Sequence, residues 1–229
     1  MPTAIFLFLS LLFRAVDAAP RDTLDRWLAD DHRRGRAASQ NATTEATRMA
    51  TRFLIVALLF LASPAFALDA ENLLVAMPPG YKVGFTKHAE RGVITEMMPA
   101  GETVEDWTEM VTVQIFFRMH DSVSGYRLRL EKLWASSCAG AKSAPVSGGI
   151  ENGYVTIIWR MSCPLNRQTG QPETTLFKAI AGRDSFYVVQ KAFKFEPSPD
   201  AAAEWARYLD TVSVCDTRIP ERKCPAGMQ

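Results

Sequence analysis

The stretch Trp107 to Phe117, W-T-E-M-V-T-V-Q-I-F-F, decides the fold class of this chain. Polar side chains occupy one phase of a two-residue period, and apolar side chains share the other phase: Trp107, Val111, Val113, Ile115 and Phe117. β-Branched and aromatic residues suit a pleated, half-buried surface. The pattern predicts a buried inner strand on which the remaining elements pack.

Strand patterns joined by turn signals lie on both sides of this stretch. Before it, residues 81–98 read as a hairpin, and after it residues 146–163 and 174–195 read as two more. The middle hairpin of these three turns at Asn152-Gly153, which is the strongest short signal for a two-residue turn. Residues 69–76 are ambiguous between a short helix and a first strand.

Two helical patterns complete the chain. The first has its apolar face at a helical period, can be capped by Asp121 or Ser122, and runs to about Cys138. The second opens at Ser198-Pro199-Asp200, where Ser caps, Pro fits the first turn and Asp suits the positive end of the helix dipole. The tail from Cys215 contains two prolines and is expected to be irregular.

This order of elements predicts an α+β domain over residues 68–229, with a mainly antiparallel sheet of about six strands and two principal helices packed on it. The order resembles the PsbP-like fold, an antiparallel sheet between helices, over about residues 78–213. The run G-E-T-V-E-D-W-T-E-M-V-T-V-Q, residues 101–114, is similar to a segment of uncharacterised exported proteins of proteobacteria, a resemblance that implies no particular function.

Residues 49–67 have the three parts of a secretory signal peptide. Arg52 supplies the positive region, Phe53–Leu61 is an apolar run, and Ala65-Phe66-Ala67 is an A-x-A cleavage site. A bilayer span needs about 20 apolar residues, so this run is too short for one. We expect Met49–Ala67 to be cleaved, which sends the mature chain to the periplasm or the medium without a stable membrane span.

Residues 1–48 precede the predicted signal, although a signal peptide works at an N-terminus. The economical interpretation is that Met49 is the true start and that residues 1–48 come from an upstream start choice and are poorly ordered. A genuine amphipathic extension is the alternative.

All four cysteines lie after the predicted cleavage site. An even count in an exported chain predicts two disulfides, and four cysteines allow three pairings. Pairing Cys138 with Cys163 would tie the first helix to the sheet, and pairing Cys215 with Cys224 would fix the tail. We predict these two bonds, because a crossed pairing would bring the tail to the end of the first helix.

Charge and motifs argue against several functions. The chain has a formal net charge of +1, and the mature part is close to neutral, so nothing points to nucleic acid or an anionic membrane. No nucleotide-binding, nucleophile-elbow or metal-ligand motif occurs, and neither His88 nor His120 has ligand spacing. No cofactor is therefore predicted.

An acidic region before and within the central strand supplies the candidate site. Paired carboxylates could perform acid/base chemistry or bind a hard cation, but acidic loops also deter strand pairing at sheet edges, and we favour that interpretation. Glu109 is the exception, because it shares the apolar phase of the strand. A carboxylate at such a position must lie at the end of the sheet or have a partner. The candidate binding residues are Glu96, Glu102, Glu105, Trp107 and Glu109.

Two functional hypotheses follow from these observations. The first is an exported, non-catalytic domain that binds an unknown protein or small molecule. The second is a hydrolase or metal-dependent enzyme that uses the acidic loop Glu102–Glu109. The missing nucleophile, metal and cofactor motifs favour the first hypothesis.

Overall fold

The computed structural model describes residues 70–167 and 169–225. Two helices, α1 (Val123–Ser137) and α2 (Pro199–Thr211), and a short 3-10 helix (Pro220–Arg222) accompany the strands. The strands are β1 (Glu71–Leu74), β2 (Tyr81–Ala89), β3 (Gly92–Pro99), β4 (Glu109–Phe117), β5 (Lys142–Glu151), β6 (Tyr154–Asn166), β7 (Gln171–Ala181), β8 (Ser185–Phe193) and β9 (Ser213–Asp216).

The main sheet has seven strands in the order β2-β3-β4-β8-β7-β6-β5, and every neighbouring pair is antiparallel. The predicted α+β class is therefore confirmed, but the predicted count of about six strands is too low. β5 is exposed along almost its whole length and contains Pro145, Gly148 and Gly149. Its N-terminal part gives no alternating apolar signal, because an exposed edge strand needs no buried face.

The central stretch forms β4, an inner strand paired with β3 and β8. The strand begins at Glu109, two residues later than the pattern indicated, and Trp107 lies buried in the preceding loop at 2 % exposure. Thr112 and Gln114, in the polar phase, are also buried. Both faces of this strand are thus buried, although only one phase of its sequence is mainly apolar.

The two helices pack on opposite faces of the sheet. On one face, here called the α1 face, Trp134 lies edge-on to Phe177 with 6.2 Å between ring centroids. On the other, the α2 face, Leu209 of α2 joins a core that includes Leu176 and Val189. Successive residues of one strand point to opposite faces, so Leu176 and Phe177 face different helices.

The predicted helix starts are confirmed. The Ser122 hydroxyl accepts a hydrogen bond from the Gly125 N–H at 3.0 Å, and the Ser198 hydroxyl accepts one from the Ala201 N–H at 3.2 Å. The predicted two-residue turn between β5 and β6 is present as well, with φ of 47° at Asn152 and 78° at Gly153. Positive φ at both positions matches the twist of the flanking strands.

The C-terminal tail is more regular than predicted. Residues 213–216 form β9, which pairs with β1 in an antiparallel two-stranded sheet, and the register places Asn72 opposite Cys215. The ambiguous segment at 69–76 therefore contains a strand. Neither four-residue strand has a long enough pattern to be recognised, and their partners lie about 140 residues apart in the sequence.

Both disulfides connect the predicted cysteines. Cys138 and Cys163 have Cα atoms 5.9 Å apart and join the end of α1 to β6. Cys215 and Cys224 have Cα atoms 4.9 Å apart and join β9 to the segment after the 3-10 helix.

The predicted upstream extension (1–48) and signal peptide (Met49–Ala67) lie outside the described residues. Within residues 70–167 and 169–225, no helix is long and apolar enough to cross a membrane.

Candidate functional site

A fully buried lysine lies at the end of the α2 face where β4 begins. Lys191 of β8 is 0 % exposed, and its Nζ donates hydrogen bonds at 2.5 Å to Glu109 Oε2 and to the Tyr81 hydroxyl. The Tyr81 hydroxyl also donates to Glu109 Oε2, at 2.9 Å. Glu109, which the sequence pattern left in need of a partner, therefore has two.

Aromatic rings surround the same ammonium group. Lys191 Nζ lies 3.9 Å from the ring centroid of Trp205, 4.7 Å from that of Phe193 and 4.9 Å from that of Tyr81. The negative faces of these rings stabilise a cation away from water. Burial nevertheless lowers the pKa of Lys191 to about 8, because desolvation disfavours the charged form more than Glu109 favours it.

The rings form a connected group, here called the aromatic cluster: Tyr81, Phe193, Phe195, Trp205 and Tyr208. Trp205 packs edge-on against Tyr81 at 5.6 Å and against Tyr208 at 5.2 Å, measured between ring centroids. Phe193 packs against Phe195 at 5.4 Å. The cluster joins α2 to the ends of β2 and β8.

Exposed apolar side chains lie next to residues of this cluster. Met77, Val83 and Phe195 are 50 %, 48 % and 39 % exposed. Val83 pairs with Met97 on the α2 face, two residues from Tyr81, and Met77 follows Ala76, whose carbonyl accepts a hydrogen bond from Tyr208 at 2.7 Å. We call Met77, Val83 and Phe195 the apolar rim.

The acidic loop, residues 102–109, lies close to the cluster. Glu102 Oε2 accepts a hydrogen bond from the Thr108 N–H at 2.9 Å, and the negative charge of Glu102 acts on both Tyr81 and Lys191. Glu105 and Asp106 are exposed. Trp107 is buried, and Lys194 Nζ lies 4.1 Å from its ring centroid.

Glu96 lies apart from the other candidates. It pairs across the ladder with Thr112, so it faces the α1 side, opposite to Val111 and Glu109. The side chain is 3 % exposed and has no hydrogen-bond or ion-pair partner among residues 70–167 and 169–225. Burial raises the pKa of Glu96 to about 7.

The structure thus brings Glu102 and Glu109 to one cluster, leaves Glu105 on the surface, and places Glu96 on the opposite face. In the part of the chain that the structure describes, no three His, Cys, Asp or Glu side chains are grouped to hold a metal ion. The sequence analysis missed Lys191 and Tyr81. A signal was present, because Lys191 shares the apolar phase of its strand with Val189 and Phe193, as Glu109 does with Val111.

Comparisons with known proteins find similar solved structures but do not assign the chain to a family. No protein-family model matches the chain, and no curated protein matches its sequence. The solution structure of cyanobacterial PsbP (CyanoP) from Synechocystis sp. PCC 6803 is similar with 14% identity, over 66% of this chain and 95% of that chain, at a TM-score of 0.41. The crystal structure of the Ran-binding protein Mog1p from Saccharomyces cerevisiae is similar with 10% identity, over 66% and 86% of the two chains, at a TM-score of 0.36.

A PsbP structure is therefore among the similar structures, as the predicted topology anticipated. The resemblance to exported proteins of proteobacteria stays a prediction.

Proposed function

We propose that this chain is an exported, non-catalytic domain that binds a protein partner or a small ligand. The observation that carries the proposal is the apolar rim, where Met77, Val83 and Phe195 stay exposed at the edge of the aromatic cluster. Contiguous apolar surface on a soluble domain marks interaction sites, and aromatic anchors dominate binding energies at such sites. A rim of this kind suits a protein segment.

The carboxylates near the rim are already hydrogen-bonded within the chain or lie elsewhere. Glu109 is hydrogen-bonded to Lys191 and Tyr81, and Glu102 is hydrogen-bonded to the backbone of Thr108. Glu96 lies on the other face of the sheet. The alternative, a hydrolase or metal-dependent enzyme that uses the acidic loop, would need two of these carboxylates to converge on a substrate or cation.

Export is supported by the signal peptide predicted at Met49–Ala67 and by the two disulfides. Disulfides persist in the periplasm and outside the cell, whereas cytosolic thiols are kept reduced. Mass spectrometry of the exported protein should find no peptide from residues 1–67. A stable peptide from residues 23–33 would contradict the proposal.

Capture experiments with matched variants test the binding site. The exported protein is immobilised and exposed to periplasmic extract, and the Met77→Ser/Val83→Thr variant should lose partners that the unchanged chain retains. Ile150→Thr/Val155→Thr is the control, because Ile150 and Val155 are 75 % and 51 % exposed on the distant β5–β6 hairpin. Equal capture by the rim variant and the unchanged chain would overturn the proposed site.

A further inference from the structure

We propose that three exposed arginines on neighbouring turns of the main sheet, together with an exposed phenylalanine, bind an acidic segment of a protein partner. We call Arg91, Phe117, Arg118 and Arg183 the arginine patch, and all four residues are exposed. The patch lies at the end of β4 opposite to Glu109, about 26 Å away along the strand. It is therefore a second surface, and its function does not rest on the apolar rim.

Backbone hydrogen bonds hold these turns side by side. The Phe117 N–H donates to the Arg91 carbonyl, and the Arg118 N–H donates to the Asp184 carbonyl, both at 2.9 Å. Arg91 belongs to the turn between β2 and β3, and Arg183 belongs to the turn between β7 and β8. Because neighbouring strands lie about 4.8 Å apart, one short segment laid across these strand ends can meet all three arginines.

No carboxylate pairs with these three arginines in the part of the chain that the structure describes. Other arginines do form ion pairs, namely Arg127, Arg129, Arg160 and Arg218. Arg118 also has a φ of 56°, a left-handed conformation that suits Gly better than other residues. An exposed arginine kept in that conformation without a carboxylate partner indicates a role in contacts with another molecule.

The carboxylates closest to Arg183 are held by other donors. Asp184 and Asp216 are both bonded to Arg218, although the charge of Arg183 also acts on Asp216. Glu71 accepts hydrogen bonds from the backbone N–H groups of Arg183 and Asp184. The Arg183 guanidinium group therefore stays available to a partner.

The carboxylates at the other end of the patch do not neutralise it either. Asp121 is bonded to Arg129. Glu90, next to Arg91, is exposed, and the exposed Lys87 of β2 offsets its charge. An approaching segment thus meets exposed positive charge across the three turns, and this charge attracts acidic sequences and repels basic ones.

The size of the patch favours a short acidic protein segment over other polyanions. Specific nucleic-acid sites often contact about 6 to 10 phosphates, and anionic membranes attract clusters of about 4 to 8 Lys or Arg. Three guanidinium groups are too few for either, but each can hold one carboxylate through two parallel hydrogen bonds. Phe117, which is 40 % exposed and adjoins Arg91 and Arg118, offers an aromatic contact to an apolar side chain of the same segment.

The test uses the full exported protein and short synthetic peptides labelled with tetramethylrhodamine. The first contains Glu, Ser and a central Trp, the second replaces every Glu by Lys, and the third replaces the Trp by Ser. Fluorescence anisotropy should detect the tightest binding for the Glu–Trp peptide and none for the Lys peptide. The affinity of the Glu–Trp peptide should fall about tenfold with Arg91→Gln/Arg118→Gln/Arg183→Gln, because three exposed ion pairs would be lost.

A matched control separates the patch from general charge effects. Lys82→Gln/Lys132→Gln/Arg207→Gln removes the same charge from exposed positions outside the patch and should leave the affinity unchanged. Lys82 and Arg207 adjoin Val83 and Tyr208, so a loss in this control would place the acidic peptide at the rim instead and overturn the inference. An unchanged affinity in the patch variant, or no binding of the Glu–Trp peptide, would overturn it as well.

Other occupants are outcomes of the same experiment. Tighter binding of labelled single-stranded DNA or of phosphatidylserine vesicles would overturn the inference in favour of that polyanion. Self-association that the patch variant loses would identify a second copy of the chain as the occupant and would also overturn it. The Met77→Ser/Val83→Thr variant should bind the Glu–Trp peptide normally, so failure at the patch and failure of the proposed rim site remain distinguishable.

Discussion

The two faces of the main sheet differ in whether their buried ionisable side chains have partners of opposite charge. On the α2 face, Lys178 and Lys191 are both 0 % exposed, and each has a carboxylate within hydrogen-bond distance, from Glu151 at 2.6 Å and Glu109 at 2.5 Å. On the α1 face, neither the buried Glu96 side chain nor the Gln114 Nε2 amide has a hydrogen-bond partner among residues 70–167 and 169–225. The same depth of burial therefore has different consequences for stability on each face.

The faces also differ in how their helices are attached. α1 is joined to β6 by the Cys138–Cys163 disulfide. α2 is held through the buried lysines: Lys178 Nζ lies 3.4 Å from the Asp210 carbonyl near the end of α2, and Lys191 lies against Trp205. A disulfide restricts the conformations of the unfolded chain, whereas the hydrogen bond of Lys178 and the cation–π contact of Lys191 act in the folded state. Mutations on the two faces should therefore change the free energy of unfolding in opposite directions, and only those at the disulfide should depend on redox conditions.

Glu109→Ala should have one of the two largest effects, because it leaves the Lys191 ammonium buried without its carboxylate. Loss of one partner of a buried pair destabilises by about 3 to 5 kcal/mol, and the partial exposure of Glu109 favours the lower end. Urea unfolding measures the change. Glu105→Ala, an exposed control, should stay within about 0.5 kcal/mol of the unchanged protein. Full stability of Glu109→Ala would mean that Lys191 does not need its partner.

Cys138→Ser/Cys163→Ser should lower the free energy of unfolding by about 3.5 kcal/mol under oxidising conditions, because the bond closes a loop of 25 residues. Cys215→Ser/Cys224→Ser should lower it by about 2.6 kcal/mol, since these cysteines lie only 9 positions apart. Non-reducing peptide mapping checks the pairing itself. A peptide that joins Cys138 to Cys215 or Cys224 would refute both expectations.

Glu96→Gln should stabilise the protein at pH 8. The folded-state pKa of Glu96 is raised to about 7, so the folded state binds more protons than the unfolded state between about pH 4.5 and 7. Stability therefore falls as pH rises through that window, by about 3 kcal/mol in total. Glu96→Gln removes this loss.

Urea unfolding at pH 5 and pH 8 distinguishes the two proteins. The Glu96→Gln variant should match the unchanged chain at pH 5 and exceed it at pH 8. A difference of the same size at both pH values would show that Glu96 does not titrate in this range.

Gln114→Leu should have the smallest effect on the free energy of unfolding and should stabilise the protein, as Glu96→Gln does at pH 8. It replaces a buried amide, whose Nε2 has no hydrogen-bond partner in the described part of the chain, by an apolar side chain of similar size. We expect a gain of about 1 kcal/mol, because an unsatisfied buried donor costs about that much. The matching change on the other face, Lys178→Leu, should instead destabilise, since it leaves Glu151 without its cation. Losses in both variants would remove the contrast between the faces.

Much of the fold could be predicted from local patterns. The alternation in β4, the Asn152-Gly153 turn and the caps at Ser122 and Ser198 are short-range signals, and each is present in the structure. The disulfide pairing followed from where each cysteine falls along these elements. Pairing of β1 with β9 could not be predicted, because two four-residue strands carry too little pattern and meet across the whole domain.

The candidate site was only partly predictable. An acidic residue in an apolar phase indicated that Glu109 needs a partner, but the sequence could not identify Lys191, which lies 82 positions away. The same acidic composition placed Glu96 with Glu102 and Glu109, whereas strand register puts Glu96 on the other face. Composition does not encode which face a side chain occupies relative to residues on distant strands.

The sequence by itself determined the α+β class, the start of each helix, the tight turn and the expectation of two disulfides, because these depend on residues close together or on cysteine count. Only the tertiary structure decided which buried charges are neutralised. That outcome depends on the register of β4 against β8 and β3, which brings Lys191 to Glu109 and turns Glu96 away. Strand register is a property of the whole sheet, since a shift of one residue would move every side chain to the opposite face.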